Sequence, residues 1–550
     1  MVDPSWAEED WSTYDHRIVG GEPVGIPHTE VIDALDRLCA GHTKRTLLER
    51  GREFGVTIAP INDTADLLAF DHLERRAFWR SIDLDGTGPE AGLGDGPIRF
   101  PGACVTVDGD RPADDQAAPR PVDGPPTFAD RPTVAVRPDG PPPHADDTGR
   151  PFEGLLVADF SWIGVGPITA KALADHGATV VRVESANRID ALRLQVPFKD
   201  GVAGTDRSQF FASFNTSKLG LSVDLKNDGG LLLVRELVDR ADVVIDSFTP
   251  GAMARLGLGP DEIRRTNPAV ITVTTSLLGG GGPFSTMAGY GYHAAAIAGF
   301  FELVGWPDRP PDGPWLAYTD TIGPRFITTA LLAAIDRRNR TGQGCHIEAA
   351  QLELALQLLA PELLDQQLTG TVARRLGNRA RDLAPQGVYR CAGDDAWIAI
   401  SVPDDAAWDR LRAALGDPPW AADAALATVE GRQAGHDAID RELAAWTATR
   451  TEAEAERILL DAGVPAGVPN RSSDLLADPQ YEHRGFYRSL DHAEVGPVPY
   501  AGHQYRIDGY DHGPRWAAPT LGQHTFEVLT EVLGFDVDRV AEIAATGCLE

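Results

Sequence analysis

The chain has 550 residues, 43% of them hydrophobic, and a formal net charge of −31 at pH 7. This acidity argues against nucleic acid or an anionic membrane surface as partner, so an anionic ligand would need a local basic pocket. The five cysteines, Cys39, Cys104, Cys345, Cys391 and Cys548, are scattered with no CxxC pair, which suggests neither a disulfide framework nor a metal site.

The opening "MVDPSWAEEDWSTYDH" is acidic and has no apolar core, unlike a signal peptide. No apolar run reaches membrane-span length. A soluble cytoplasmic protein is expected. Residues 1–27 read as an N-terminal extension and 28–103 as a separate N-terminal piece. From 104 to 150 the composition is that of a linker, crowded with Pro, Asp and Gly ("RPADDQAAPRPVDGPPTFADRPTVAVRPDGPPPHADDTGR") and poor in side chains to bury.

The main body starts near Pro151. "GLLVADF" (154–160), "TVVRVE" (179–184), "DVVIDSF" (242–248) and "AVITVTTS" (269–276) read as buried strands. "GPITAKALADHGA" and "DGGLLLVRELVDRA" read as helices between them, and "IGPRFITTALLAAIDRR" (322–338) as a later one. Buried strands alternating with helices predict an α/β fold with a doubly wound, mostly parallel, Rossmann-like sheet. The predicted large domain begins at 151–380, a smaller α+β domain spans 381–475, and 476–550 returns to the large domain.

One stretch is said twice. "DLLAFDHLERRAFWRS" (66–81) matches "DLLADPQYEHRGFYRS" (474–489). At an offset of 408, residues 55–83 align to 463–491 without gaps, with 13 of 29 positions identical. Duplication or fusion is the preferred reading over convergence of two helix–turn units. Two copies do not make a solenoid.

The order of motifs in the body resembles the class III CoA-transferase (CaiB/BaiF) family over about 151–530. The motifs are "GLLVADFSWIGVGP", "LADHGATVVRVE", "FNTSKLGLSVDLKNDGG", "ADVVIDSFTPGAMARLGLG", "NPAVITVTTSLLGGGGP", "YTDTIGPRFITTALLAAIDRRNRTGQGCHIEAAQLE" and "AGVPAGVPNRSSDLLADPQYEHRGFY". The resemblance implies interlocked dimers and transfer of coenzyme A from an acyl-CoA donor to a carboxylate acceptor, with no metal. It places the family's nucleophilic aspartate on Asp320. An anhydride and an aspartyl-CoA thioester would follow. Asp320 would precede a helix starting near Gly323, whose N–H groups and dipole would keep the carboxylate ionised. From local sequence alone, "TDT" before a helix reads first as an N-cap, and it is the resemblance that reverses this. The resemblance also assigns Arg182, Lys218 and Arg255 to CoA phosphates. It assigns Phe248, Pro250 and Gly251 to an adenine-side turn.

The departures from the family pattern matter. Gly291 stands where transferases of the family carry an acidic residue, and Tyr290 where its racemases carry a histidine. Tyrosine, with a reference pKa near 10, is a poor proton shuttle, so an acyl-CoA racemase or isomerase is the disfavoured alternative. A weakly or non-catalytic partner subunit is another. His293 reads as a packed helix residue. Gly164 stands where some formyl-CoA transferases have glutamine, so oxalate-type substrates are not supported. "LLGGGGP" (277–283) lacks the ending of a P-loop and reads as a flexible loop beside the acyl group. Cys345 and His346 are neighbours on a strand, where successive side chains point to opposite faces, so no catalytic pair is expected. Residues 28–103 copy only the tail of a family chain. They imply either a heteromer with a related CoA-transferase subunit or a decoration on a homodimer.

Overall fold

A computed structural model describes residues 4–11, 13–19, 21–82, 97–112 and 149–550. The N-terminal unit has helices His28–Ala40, Lys44–Phe54, Thr64–Leu68 and Asp71–Arg75, then strands β1 (Trp79–Ile82) and β2 (Ile98–Pro101), paired antiparallel. Most of the expected linker, 113–148, lies outside the described residues. Its first part, 104–112, is not linker. Within it β3 (Thr106–Val107) pairs antiparallel with the edge of the large sheet. The Asp108 carboxylate there accepts the His346 N–H at 2.9 Å and an Arg264 N–H at 2.7 Å. The short β-branched run "VTV" has enough apolar surface to add a strand.

The body's strands are β4 (Leu156–Asp159), β5 (Thr179–Glu184), β6 (Lys218–Ser222), β7 (Val243–Asp246), β8 (Ile271–Ser276) and β9 (Cys345–Ala350). The sheet order is β3-β9-β8-β7-β4-β5-β6, parallel throughout except for β3. Successive residues feed opposite cores. Val180, Val243, Ile245 and Ile347 pack with the helices Val165–Ala174 and Tyr318–Thr341. Val181, Val244 and Leu221 pack with the helix Asp228–Arg240 and with Val528, Leu529 and Val540 of the returning C-terminus. A sheet buried on both faces has no room for polar alternation, which is why its strands read as continuous apolar runs.

A smaller unit holds β10 (Gln386–Arg390), β11 (Trp397–Ser401) and β12 (Ala466–Gly467) against the helices Asp405–Ala414, His436–Thr447 and Glu452–Asp461. Its core includes Ile398, Ile400, Trp408, Leu443 and Leu459. Helices Ser472–Leu476 and Pro479–Arg484 and the hairpin β13 (Tyr487–His492) and β14 (Gly496–Ala501) follow.

The N-terminal unit and this last stretch share element order at the offset of 408. Helices beginning at His28, Lys44, Thr64 and Asp71 and a strand beginning at Trp79 correspond to elements beginning at His436, Glu452, Ser472, Pro479 and Tyr487. Thr43 and Thr451 cap the corresponding helices, each side chain accepting a backbone N–H three residues on. The environments differ. Leu67, Leu73 and Phe78 are fully buried in a core with Leu277, Leu278, Phe284 and the helix Gly291–Ala298. Their counterparts Leu475, Tyr481 and Phe486 are only half-buried, and Leu476 is 55% exposed.

Candidate active site

The chain runs outward from β4 to β5 and β6 on one side, and to β7, β8 and β9 on the other. The crevice beyond the strand ends at such a reversal is the standard ligand position in a doubly wound sheet. Here it holds a cavity of about 660 Å³. Its walls come from the turn after β4 (Trp162–Val165), Arg188 after β5, Ser247–Thr249 after β7, the end of β8, and Asp320. Ile163 in the first turn has a φ of 65°, unfavourable for a β-branched residue. Its N–H donates to the Asp190 carboxylate, which helps to hold the turn.

Asp320 is 4% exposed and lies in the first turn of the Tyr318–Thr341 helix. It does not precede a helix at Gly323, and it is not an N-cap, since residue 317 takes that place. Its Oδ2 accepts the N–H of Gly291, the first residue of another helix, at 3.1 Å. Gln351 also hydrogen-bonds the carboxyl and accepts the Thr319 hydroxyl at 2.6 Å. Burial dominates the electrostatics. Loss of water pushes the Asp320 pKa up to about 6, against the opposing pull of the Gly291 N–H and the Gln351 amide. A strongly acidic carboxyl held down by helix ends is therefore not what the site provides. The group is still mostly ionised at pH 7 and more basic than an ordinary aspartate.

The two glycines that depart from the family pattern both lie against this carboxyl. A Cβ on Gly164 would come within 2.7 Å of the Asp320 Cβ. One on Gly291 would come within 2.6 Å of the Asp320 N and 2.8 Å of its Cγ. Both positions keep the carboxyl open by having no side chain.

The residues assigned to CoA by sequence divide into two groups. Arg255 and Phe248 line the cavity, with Trp162 edge-on to Phe248 at 5.9 Å. Pro250 and Gly251 belong to the adjoining turn, where Gly251 has a φ of 80°, but they are not among the lining residues. Arg182 and Lys218 are elsewhere. Arg182 is fully buried and bridges Asp190, Glu184 and Asp159. Lys218, also fully buried, spends its three donors on Asp159, Asn215 and the Pro167 carbonyl, at 2.8 to 2.9 Å. These two cations are fully buried against the sheet's carboxylates, and neither is among the residues that line the cavity.

Three wall residues were not singled out as ligands by the sequence. Arg188 stacks over the Trp162 ring at 5.2 Å. No carboxylate partner appears for Arg188 or Arg255 among the described residues. His293 lines the cavity instead of packing inside its helix. Burial keeps its pKa below the ordinary value, and its Nδ1 accepts the Tyr290 N–H. Thr57 reaches in from the N-terminal unit, with its hydroxyl donating to the Ala288 carbonyl at 2.7 Å.

The glycine run has a different role from the flexible acyl loop expected. His72 donates from Nε2 to the Leu278 carbonyl and accepts the Phe284 N–H at Nδ1. Arg76 bonds the Gly280 carbonyl and Glu353. A Cβ on Gly279 or Gly282 would lie 2.3 Å from Arg76 or His72. The glycines make room for side chains of the N-terminal unit, which clamp the loop. His346 bonds Thr272 at 2.9 Å and Cys345 is buried, a structural pair as expected.

The model of CoA-transferase family III matches residues 152–525. The chain belongs to this family. A probable CoA-transferase of Mycobacterium tuberculosis is 30% identical over 97% of the chain, which spans 66% of that protein's length. The succinyl-CoA–D-citramalate CoA-transferase of Chloroflexus aurantiacus is 30% identical over 72% of the chain and 97% of its own length. A CAIB/BAIF family protein from Brucella suis superposes with a TM-score of 0.64 at 29% identity, over 70% of this chain and 99% of that one. The N-terminal unit lies outside the family match.

Proposed function

We propose that the protein transfers CoA from an acyl-CoA to a carboxylic acid with Asp320 as covalent nucleophile. The observation that carries this is a buried carboxylate of raised basicity, opened by two glycines and set in a cavity that also presents Arg188 and Arg255. The Asp320 oxygen attacks the thioester carbonyl, the C–S bond breaks, and CoA leaves as thiolate. The product is a mixed anhydride. The thiolate then attacks the aspartyl carbonyl and expels the donor's carboxylate, giving an Asp320–CoA thioester. The acceptor carboxylate attacks that thioester, forming a second anhydride, and the thiolate attacks the acceptor's carbonyl to return Asp320. Division into such steps is the advantage of covalent catalysis. The Gly291 N–H and the Gln351 amide are placed to steady negative charge on the aspartyl oxygen. Arg188 and Arg255 are the cations for CoA phosphates. The test is incubation with acyl-CoAs followed by hydroxylamine or borohydride. Modification on the peptide holding Asp320, abolished in Asp320→Ala, is expected. No adduct from a broad panel, with unchanged turnover in Asp320→Ala, refutes it. Racemisation would require deuterium wash-in at the α-carbon.

For the partner, the reading is a heteromer. The N-terminal unit is taken as a second copy of the tail, docked in cis on the face formed by residues 277–284 and the helix Gly291–Ala298. That face is therefore covered in every copy of this chain. The C-terminal copy would seek a related CoA-transferase subunit whose equivalent face is bare. Native mass measurement on the chain expressed alone is expected to show no active self-dimer. An active, homogeneous homodimer would sink this reading.

A further inference from the structure

Asp320 borders two cavities. The second, of about 260 Å³, shares Ile163, Gly164, Ala191, Tyr290 and Asp320 with the first. Their chemistry is opposite. The larger has Arg188 and Arg255 on its wall. The smaller is walled by Leu192, Phe210, Phe214, Leu316 and Tyr292, and no arginine, lysine or histidine is among its described lining residues. Its polar lining beyond the shared Tyr290 and Asp320 amounts to Tyr292, Thr321 and Gln195. The Thr321 hydroxyl is already committed to the Tyr318 carbonyl at 2.8 Å.

We infer that the smaller cavity is the acyl site and that it takes a medium-length, uncharged acyl chain, aliphatic or aromatic, in preference to a dicarboxylic acyl group. This rests on the CoA-transfer reading and adds the substrate class. A thioester held at Asp320 with its CoA in the basic cavity has one remaining direction for the acyl chain. A terminal carboxylate there would enter an apolar pocket with Asp320 as its nearest charge and no cation to pair with, which is costly. At roughly 30 Å³ per methylene-sized group, the space holds about eight such groups. Each methylene buried should raise kcat/KM by about fourfold, up to that length.

The experiment compares butyryl-, hexanoyl-, octanoyl- and phenylacetyl-CoA with succinyl- and glutaryl-CoA as donors, reading kcat/KM and labelling of Asp320. Butyryl and succinyl have equal carbon counts, so their ratio isolates the charge. The expected ratio is about 100 in favour of butyryl, from the cost of an unpaired buried charge. Succinyl equal to or better than butyryl overturns the inference. Gln195→Arg adds a cation at an exposed position on this wall. It should raise succinyl relative to butyryl by about tenfold, as one added charge-assisted contact does. An unchanged ratio in that variant overturns the assignment of the cavity. The two readings fail separately. If no thioester labels Asp320, CoA transfer itself is refuted. If dicarboxylic thioesters label it best, only the acyl class is.

Discussion

Asp320→Asn separates the carboxyl's electrostatic cost from its chemistry. Burial pushes its folded pKa up to about 6, against about 3.9 for an aspartate in water. A raised folded value means that the folded state holds its proton longer than the unfolded chain does. Below about pH 4 both states are protonated and the group is neutral in its effect. Between 4 and 6 stability falls as pH rises, and above 6 the penalty is complete. At 1.36 kcal/mol per pKa unit the gap is worth up to ~3 kcal/mol. Asparagine has the same shape, can still accept the Gly291 N–H, and carries no charge. The variant should therefore match wild type near pH 4 and exceed it by up to ~3 kcal/mol at pH 8. Urea unfolding of both proteins at intervals from pH 4 to 8 reads this difference directly. A pH-independent difference, or a variant less stable at pH 8, refutes the argument that burial sets this pKa. In the wild type, CoA exchange should fall about tenfold per unit once pH drops below 6, and the variant should show no exchange at any pH.

Gly291→Ala puts a methyl against the Asp320 backbone and carboxyl. It should cost ~1–3 kcal/mol of stability by overpacking and lower kcat at least tenfold, measured by melting and by CoA exchange. Arg255→Ala and Arg182→Ala should behave oppositely. Loss of Arg255 should raise KM for CoA thioesters about tenfold or more at unchanged stability. Loss of Arg182 leaves buried Asp190 without its cation, while Asp159 keeps Lys218 and Glu184 keeps Arg193, and should destabilise the fold by ~3–5 kcal/mol, read by urea unfolding. Phe70→Asp removes the ring that stacks on Phe284 at 5.7 Å and brings a charge to a buried place. It should release the N-terminal unit and the 279–284 loop, seen as faster amide exchange in residues 277–284.

The sheet was legible because a parallel strand buried on both faces reads as an unbroken apolar run, and β4, β5, β7 and β8 all do so. Helix starts were less legible. Gly323 and Pro324 look like the opening of a helix, yet the helix begins at Tyr318 and passes through them. The CoA-binding assignments show a sharper limit. A motif position says where a residue lies on the strand, not which carboxylates surround it. Arg182 shares β5 with Glu184, both cations meet Asp159 at the end of β4, and Asp190 follows after β5, so the positive charge is met internally. Arg188, outside any motif, faces the cavity together with Arg255. Thr57 was invisible for another reason. Its place on the cavity wall depends on a contact with Ala288, 231 residues away, which no local pattern encodes.

The two stretches related by the offset of 408 carry the same argument further. Positions identical in both include those by which the first copy holds its dock. Leu67 and Phe78 are fully buried, Asn62 donates its backbone N–H to the Ala296 carbonyl and its side-chain amide to the Ile297 carbonyl, and Arg76 pairs with Glu353. Their counterparts Leu475, Phe486, Asn470 and Arg484 keep the same side chains where this chain offers no such dock. Leu475 and Phe486 are half-exposed, Asn470 is exposed, and Arg484 donates to the Gln504 carbonyl. Among the positions that differ are several that contact this chain's own loop and the segment after it. Phe70, His72, Leu73 and Thr57 become Asp478, Gln480, Tyr481 and Pro465. Asp478 could not stack on Phe284, and Pro465 has no hydroxyl for the Ala288 carbonyl. Gln480 could not span Leu278 and Phe284 with the rigid ring geometry of His72. Residues 463–491 thus share the general features of the docked stretch and differ from it at several of its contacts with this particular face. Under the heteromer proposal, such a surface would meet a related large domain with a different loop, in a second kind of subunit.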